Sequence, residues 1–298
     1  MSDSPIGVFD SGVGGLTVLK ALAEELPHER FVYLGDTARL PYGTKSAETV
    51  ARYAVQAAEA LTEYGVKSLV IACNTASSVG LPAIRQHIDN IPIIGVIEPG
   101  AQAACRASHS GHIVVIATEG TVRGGAYQEA ILRLRANAHV IAQPTQLFVA
   151  LAEEGLHEGA IAEQVARHYL TPLFHSGPAA AADTLVLGCT HFPMLAAAIR
   201  AAVGPAVNIV DSAATTAKAV RAILEGQKLT RAPAEGTRVR ARGPGDATRA
   251  AHDSAASGAG EASATRFLAT DSVERFARIG SLFLSRPITP AEVELVDL

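Results

Sequence analysis

The stretch Ser68–Thr75 reads SLVIACNT, and a second stretch, Thr184–His191, reads TLVLGCTH. In each, a β-branched and Leu-rich run of strand length leads into a small residue, a cysteine and two polar side chains. Open α/β sheets place functional residues where buried parallel strands end. We therefore expect Cys73 and Cys189 to follow buried strands and to face one substrate from opposite sides.

Strand-like and helix-like segments alternate around the first of these stretches. The predicted strands are 6–10, 30–36, 68–73 and 91–97, and the predicted helices are 16–27, 46–64 and 77–88. Ser46 stands where the second of these helices needs an N-cap. Strand–helix–strand alternation predicts a parallel sheet with right-handed crossovers.

A similar pattern restarts in the second half, with predicted strands in 112–121, 139–145 and 184–189 and a helix from Ala160 to Leu173. Aligning IGVFDSG (6–12) with VVIATEG (114–120) sets Asp10 against Thr118 and suggests an internal duplication. We predict an α/β fold of two pseudo-symmetric parallel-sheet domains, with the active site in the cleft between them.

The domain boundaries are predicted as 1–98 plus 208–298 for the first, discontinuous domain and 99–207 for the second. Residues 231–265 are rich in Ala, Gly, Ser, Pro and Arg and poor in apolar side chains. That composition predicts an exposed, mobile insertion in the first domain.

Composition excludes several classes of protein. The 298 residues are 48% hydrophobic and 18% charged, which predicts a large core, and the net charge of −4 gives no basic excess for nucleic acid or anionic membrane. The apolar runs are too short to span a bilayer, and the N-terminus lacks the pattern of a secretory signal, so we expect a cytoplasmic protein. Three cysteines at wide spacing, without a CxxC, predict no disulfide framework and no metal site.

Two Gly- or Pro-containing loops carry candidate substrate contacts. DSGVGG (10–15) lies between a strand and a helix and offers Asp10 as a carboxylate base, Ser11 as a donor, and glycines that bring backbone N–H groups close to a ligand. The same residues also suit a simple turn with a helix cap. GDTARLPYG (35–43) offers Tyr42, through its amide and its phenol, and Gly43.

The two repeated cysteines suit proton transfer. A thiol has an ordinary pKa of about 8.5, close enough to neutrality to act as acid or base without a metal. We expect His191 to assist Cys189 and Asp10 to assist Cys73, whereas Cys105 is expected to be a core residue on a helix. ATEGTVRGGAY (117–127) adds the Thr118 and Thr121 hydroxyls, and LAEEGLHEG (151–159) adds Glu153 and Glu154 in a predicted loop.

Taken together and in order, IGVFDSGVGG, GDTARLPYG, VIACNTAS, TEGT, LAEEG and LGCTHFP closely resemble the motifs of the bacterial glutamate racemases. The resemblance covers almost the whole chain. It implies a cofactor-independent isomerase that supplies D-glutamate for peptidoglycan synthesis, cell-wall biogenesis and cell shape. It also implies glutamate as the small-molecule substrate, a homodimer, and a last chain segment that returns to complete the first domain.

The same resemblance implies roles for individual residues. Cys73 and Cys189 match the two catalytic thiols, the first acting on the D enantiomer and the second on the L enantiomer. Asp10, His191 and Glu153 match the assisting groups. The residues that match those holding the amino acid are Asp10, Ser11, Tyr42, Gly43, Asn74, Thr75, Thr118, Thr121, Thr190 and His191. Gly124 stands where the family often has Ser.

Other activities stay open at this point. An aspartate or hydantoin racemase of the same superfamily would share the two thiols and differ in the loops that contact the substrate. A thiol hydrolase would use Cys189 and His191 and leave Cys73 without a role. A two-domain amino-acid clamp without catalysis would leave both thiols without a role.

Overall fold

The computed structural model describes residues 2–175, 179–232 and 265–298. The chain begins with an alternation of strands and helices that builds most of a first sheet. Its elements are β1 (Ile6–Asp10), α1 (Leu16–Glu25), β2 (Phe31–Gly35), α2 (Ala47–Glu63), β3 (Ser68–Ile71), α3 (Asn74–Val79), α4 (Leu81–His87), β4 (Ile93–Gly95) and α5 (Ile97–Ala107).

A second alternation builds a second sheet. Its elements are β5 (His112–Ala117), α6 (Glu119–Gly124), α7 (Ala126–Leu134), β6 (His139–Pro144), α8 (Leu147–Glu153), α9 (Gly159–Phe174), β7 (Thr184–Gly188), α10 (Ala196–Val203), β8 (Asn208–Asp211) and α11 (Ser212–Gly226). The chain ends with β9 (Thr265–Ala269), α12 (Val273–Leu284) and β10 (Val293–Leu295).

All described strand pairs are parallel. The first sheet has the order β10-β9-β2-β1-β3-β4 and the second has the order β6-β5-β7-β8, so the last strands of the chain extend the first sheet. The orders β2-β1-β3-β4 and β6-β5-β7-β8 repeat each other. The predicted fold class, two similar parallel-sheet α/β halves, is confirmed.

The central strands are buried along their whole length, as β1, β2 and β7 illustrate. Continuous apolar runs of this kind are what parallel strands need when helices cover both faces of the sheet. One apolar cluster joins Val70 of the first sheet to Val114 and Val186 of the second, and α11 packs against both α1 and α5. The two sheets therefore share a continuous core.

The register of the sheets corrects one detail of the predicted duplication. Ile6 lies opposite Ser68 in the first sheet, and Ile113 lies opposite Thr184 in the second. Counting along these strands aligns Asp10 with Ala117, and it aligns Ser11 rather than Asp10 with Thr118. The residue equivalent to Asp10 is therefore Ala117, so Asp10 has no carboxylate counterpart in the second half. A shift of one residue matters because it turns a side chain to the other face of the sheet.

Two predicted boundaries also change. The helix predicted at 77–88 is divided into α3 and α4 at Gly80, since Pro82 in the first turn of α4 has no N–H to continue the earlier helix. Residue 208 does not begin the return to the first domain, because β8 pairs with β7 in the second sheet. Most of the insertion predicted at 231–265 lies outside the described residues.

Ser46 caps α2 as predicted, by accepting a hydrogen bond from the Thr49 N–H at 3.3 Å. None of the helices within the described ranges is long and apolar enough to cross a membrane.

A buried ion pair ties the start of the chain to the first sheet. Lys67 Nζ donates to Glu29 Oε2 at 2.5 Å and to the Ser2 carbonyl at 2.6 Å, and both charged side chains are almost fully buried.

We predict that Lys67→Met lowers the free energy of unfolding by about 3 kcal/mol, because it leaves the buried Glu29 carboxylate without its cation. Urea unfolding followed by circular dichroism measures this loss, with Lys218→Met on the exposed face of α11 as the control. Equal stabilities of the two variants would contradict it.

Candidate active site

A cavity opens where the carboxyl ends of the two sheets face each other. The volume inside it that a water molecule can occupy is about 40 Å³. The predicted residues that line it are Ser11, Tyr42, Gly43, Cys73, Asn74, Thr75, Thr118, Glu153, Cys189, Thr190 and His191. Side chains from both halves of the chain therefore reach one small space.

The two repeated cysteines occupy equivalent places in this cavity. Cys73 follows β3 and Cys189 follows β7, both thiols are free, and each residue is about one-twentieth exposed, at 5% and 6%. Both strands end next to the first strand of their own sheet. The duplicated fold thus delivers one thiol from each half to the same cavity.

Cys73 is held as a neutral thiol. Its sulfhydryl donates to Ser11 Oγ at 3.5 Å, and its sulfur accepts from the Ala76 N–H at 3.4 Å. Burial, assisted by the nearby Asp10 carboxylate, raises the pKa of Cys73 to about 12, although the two hydrogen bonds act in the opposite direction. At neutral pH Cys73 therefore carries its proton, so it can act as an acid but not as a base.

Cys189 lies beside a buried cation. Its sulfur is 3.7 Å from His191 Nδ1, and His191 Nε2 is 3.1 Å from Glu153 Oε1. Burial alone would lower the pKa of His191, but the hydrogen bonds to Cys189 and Glu153 raise it to about 10. The imidazole is then protonated at neutral pH and places a buried positive charge beside the Cys189 sulfur.

Glu153 lies at the end of a helix, which corrects the predicted loop. It is the last residue of α8, and its second oxygen accepts from Arg275 Nη2 at 2.8 Å. Burial acts to raise the pKa of Glu153, but the contacts with His191 and Arg275 together lower it. The carboxylate is therefore negative and holds the far side of the His191 ring.

Asp10 lies beneath the cavity wall rather than in it. The carboxyl is 1% exposed, Oδ2 accepts from the Gly12 N–H at 3.0 Å, and Oδ1 has no hydrogen-bond partner among the described residues. Burial raises the pKa of Asp10, whereas the His191 charge and nearby backbone N–H groups lower it. Its contact with substrate stays a prediction, and it lies close enough to act electrostatically on Cys73 and His191.

Three threonine hydroxyls join the two halves across the cavity floor. Thr75 Oγ1 is 3.0 Å from Thr118 Oγ1 and 3.1 Å from Thr121 Oγ1, and the last two are 3.0 Å apart. Thr75 and Thr118 line the cavity, but Thr121 is 1% exposed and does not. Thr121 is therefore hydrogen-bonded to both lining hydroxyls, and its own contact with a ligand stays a prediction.

Asn74 presents an amide donor to the cavity. Its Oδ1 accepts from the Tyr127 hydroxyl at 2.8 Å, whereas its Nδ2 is buried without a hydrogen-bond partner among the described residues. A buried donor without an acceptor costs free energy unless a ligand supplies one. The geometry suits an anionic oxygen of a small ligand.

The phenol of Tyr42 is not available to a ligand, contrary to the prediction. Its hydroxyl donates to Asp36 Oδ2 at 2.5 Å, and Asp36 also pairs with Arg39. Tyr42 and Gly43 therefore contribute backbone atoms to the lining of the cavity. A Cβ at Gly43 would lie 2.8 Å from Thr118 Cβ, so only glycine allows this close approach between the halves.

Sequence reasoning missed part of the lining. Leu40, Pro41, Gln146 and Val149 also border the cavity, and Gln146 Oε1 is buried without a hydrogen-bond partner in the described ranges. Gln146 comes soon after the strand predicted at 139–145. The rule that found the cysteines, polar residues that follow a strand, would have found it too. Cys105, by contrast, lies on α5 and does not line the cavity.

A sequence model of the Asp/Glu/Hydantoin racemase family matches residues 6–220. The chain belongs to this family. It is 50% identical to a glutamate racemase of Geobacter metallireducens over 230 residues, which are 77% of this chain and 83% of the relative. It is 46% identical to a glutamate racemase of Koribacter versatilis over 98% of this chain and 97% of the relative.

Solved structures agree with this assignment. A crystal structure of glutamate racemase from Francisella tularensis in complex with D-glutamate matches with a TM-score of 0.82 and 33% identity, covering 100% of this chain and 98% of that one. The family resemblance predicted from the motifs is therefore confirmed.

The charge of Asp10 should be measurable at Cys73. We predict that Asp10→Asn lowers the pKa of Cys73, because it removes a negative charge that disfavours the thiolate while leaving the burial unchanged. In a Cys189→Ala background, iodoacetamide should alkylate Cys73 roughly tenfold faster at pH 8, since a nearby charge shifts a pKa by about one unit. Ser11→Ala is the matched control and should slow alkylation, because the Ser11 contact lowers the same pKa. An unchanged rate in Asp10→Asn would exclude a charged Asp10 at this pH.

Proposed function

We propose that this protein interconverts L- and D-glutamate by moving protons between the α-carbon and two opposed thiols. The observation that carries the proposal is that Cys73 and Cys189 follow equivalent strands of a duplicated fold and line one cavity. Near-complete coverage by a glutamate racemase at 46% identity supports the choice of glutamate.

The electrostatics support a first step at Cys189 when L-glutamate is bound. The thiolate, stabilised by the protonated His191, takes the α-proton and becomes a thiol. The neutral thiol of Cys73 then gives its proton to the opposite face of the α-carbon and becomes a thiolate, which completes D-glutamate. Reaction in the other direction begins at Cys73, with the same atoms and charges in reverse.

Stabilising the carbanion is the larger task, because the α-proton of an amino acid is a very weak acid. The proposal assigns this to donors that are already in place: the Asn74 Nδ2, the hydroxyls of Thr75 and Thr118, and the backbone N–H groups of the DSGVGG turn. Each aligned donor in such a site contributes about 3 kcal/mol to the transition state. No cofactor or metal is required by this scheme.

The cavity walls come from both halves of the chain, so substrate entry requires them to separate. Contacts such as Gly43 on Thr118 would close again around the bound amino acid and exclude water. In this proposal the product D-glutamate feeds peptidoglycan synthesis in the cytoplasm.

Single cysteine variants test the two-thiol scheme. Because the enantiomers have equal free energy, racemisation rates in the two directions stay linked in any variant, so exchange of the α-hydrogen with deuterated water is the informative measurement. We predict that Cys73→Ser slows exchange of D-glutamate at least about a hundredfold more than that of L-glutamate, and that Cys189→Ser does the reverse.

Cys105→Ser is the matched control, since this third cysteine lies outside the cavity, and it should behave as wild type. Equal slowing of both enantiomers in each variant would indicate a single base and overturn the scheme. The same assay with aspartate distinguishes the substrate, because an aspartate racemase would exchange that amino acid faster than glutamate.

The proposal extends to a homodimer of this chain. One protomer has a mass of 30.8 kDa, and light scattering after size exclusion should give twice that mass. A single-chain mass at micromolar concentration would contradict the dimer without affecting the assignment of the reaction.

A further inference from the structure

Helix α12 connects the first sheet to the acid–base group of the second. The helix follows β9 of the first sheet and packs against α1. Two of its side chains nevertheless reach the Cys189 side of the cavity. Arg275 contacts Glu153, and the ring of Phe283 lies edge-on to His191, with 5.2 Å between the ring centroids.

These contacts form a continuous chain of hydrogen bonds. Arg275 Nη2 donates to Glu153 Oε2 at 2.8 Å, Glu153 Oε1 is 3.1 Å from His191 Nε2, and His191 Nδ1 is 3.7 Å from the Cys189 sulfur. Each oxygen of the carboxylate has its own partner. Rotation of Glu153 would break both contacts at once.

We propose that Arg275 is a positioning residue for the Cys189 half of the reaction, holding Glu153 so that His191 stays oriented against the Cys189 sulfur. The inference rests on the proposed two-thiol function. Arg275 is 48% exposed, so water screens its charge, and its effect comes from fixing a geometry more than from long-range attraction.

Among the residues that the structure describes, none forms an equivalent series of hydrogen bonds on the Cys73 side. Its sulfur contacts Ser11 Oγ and the Ala76 N–H, and the carboxylate that acts on its pKa is Asp10; all three residues belong to the first half of the chain. Loss of Arg275 should therefore affect one enantiomer's deprotonation and leave the other's unchanged. A residue that only supported the fold would affect both.

Single-thiol backgrounds separate the two half-reactions. In Cys73→Ser, exchange of the α-hydrogen of L-glutamate reports on Cys189 alone, and in Cys189→Ser, exchange of D-glutamate reports on Cys73 alone. We expect Arg275→Gln to lower the maximal exchange rate about tenfold in the first background, with little change in KM, since small misplacements of a reacting group cost this much or more. In the second background the rate should stay within about twofold.

Two further variants sharpen the test. Only one nitrogen of Arg275 contacts Glu153, so Arg275→Lys should recover most of the lost rate. Arg278→Gln, an exposed arginine one turn further along α12, is the matched control and should exchange both enantiomers normally.

Each outcome bears on a different claim. If the single-thiol backgrounds show no one-sided exchange, the two-thiol function fails. If they do, but Arg275→Gln slows both half-reactions equally or neither, the positioning role is wrong. The role is also overturned if Arg275→Lys is as slow as Arg275→Gln. Normal D-glutamate exchange in the second background shows in the same experiment that the variant has folded.

Discussion

Burial of two thiols at one opening between two sheets is the constraint on which the site depends. Parallel strands end at the same edge of a sheet, and a core shared by both sheets turns those edges toward each other. The cavity that results contains little room for water, so any charge inside it needs a partner. Burial raises the pKa of Cys73, whereas burial opposes the charge of His191, which stays protonated because Cys189 and Glu153 are its partners.

The fold is duplicated, but the chemistry of its halves is not. In the first half burial, assisted by the Asp10 carboxylate, keeps Cys73 protonated, whereas in the second half an imidazolium lies beside Cys189. The two thiols therefore lie in different electrostatic surroundings, although the strands that carry them are equivalent. A reaction whose substrate and product are mirror images therefore does not need a mirror-symmetric site. It needs one protonated and one deprotonated group on opposite faces of the substrate.

The sequence predicted the parts of this site that follow from strand ends, and missed those that depend on packing between distant segments. The segments SLVIAC and TLVLGC predicted the positions of both thiols, because a buried apolar run with a cysteine at its end is a local pattern. The alignment of Asp10 with Thr118 was one residue out, since apolar runs alone do not fix the register. The prediction placed the Tyr42 phenol in the cavity because the sequence of its loop does not show that the hydroxyl donates a hydrogen bond to Asp36. Glu153 was assigned to a loop, although LFVALAE forms a helix once its apolar face packs on the core.

Two glycines show how closely segments from the two halves of the chain approach each other. A Cβ at Gly14 would lie 2.5 Å from the His191 ring, and one at Gly124 would lie 2.3 Å from Ser78 Oγ. Gly124, where the family often has Ser, thus allows α6 to approach α3 and does not alter the proton-transfer groups. At Gly14 the loop that follows β1 lies directly against the imidazole of His191, which contacts the Cys189 sulfur. Together with α12, this loop makes the second half's acid–base group depend on the first half. The contacts that Gly14, Phe283 and Arg275 make with His191 and Glu153 thus come from the first half, although Cys189 itself belongs to the second.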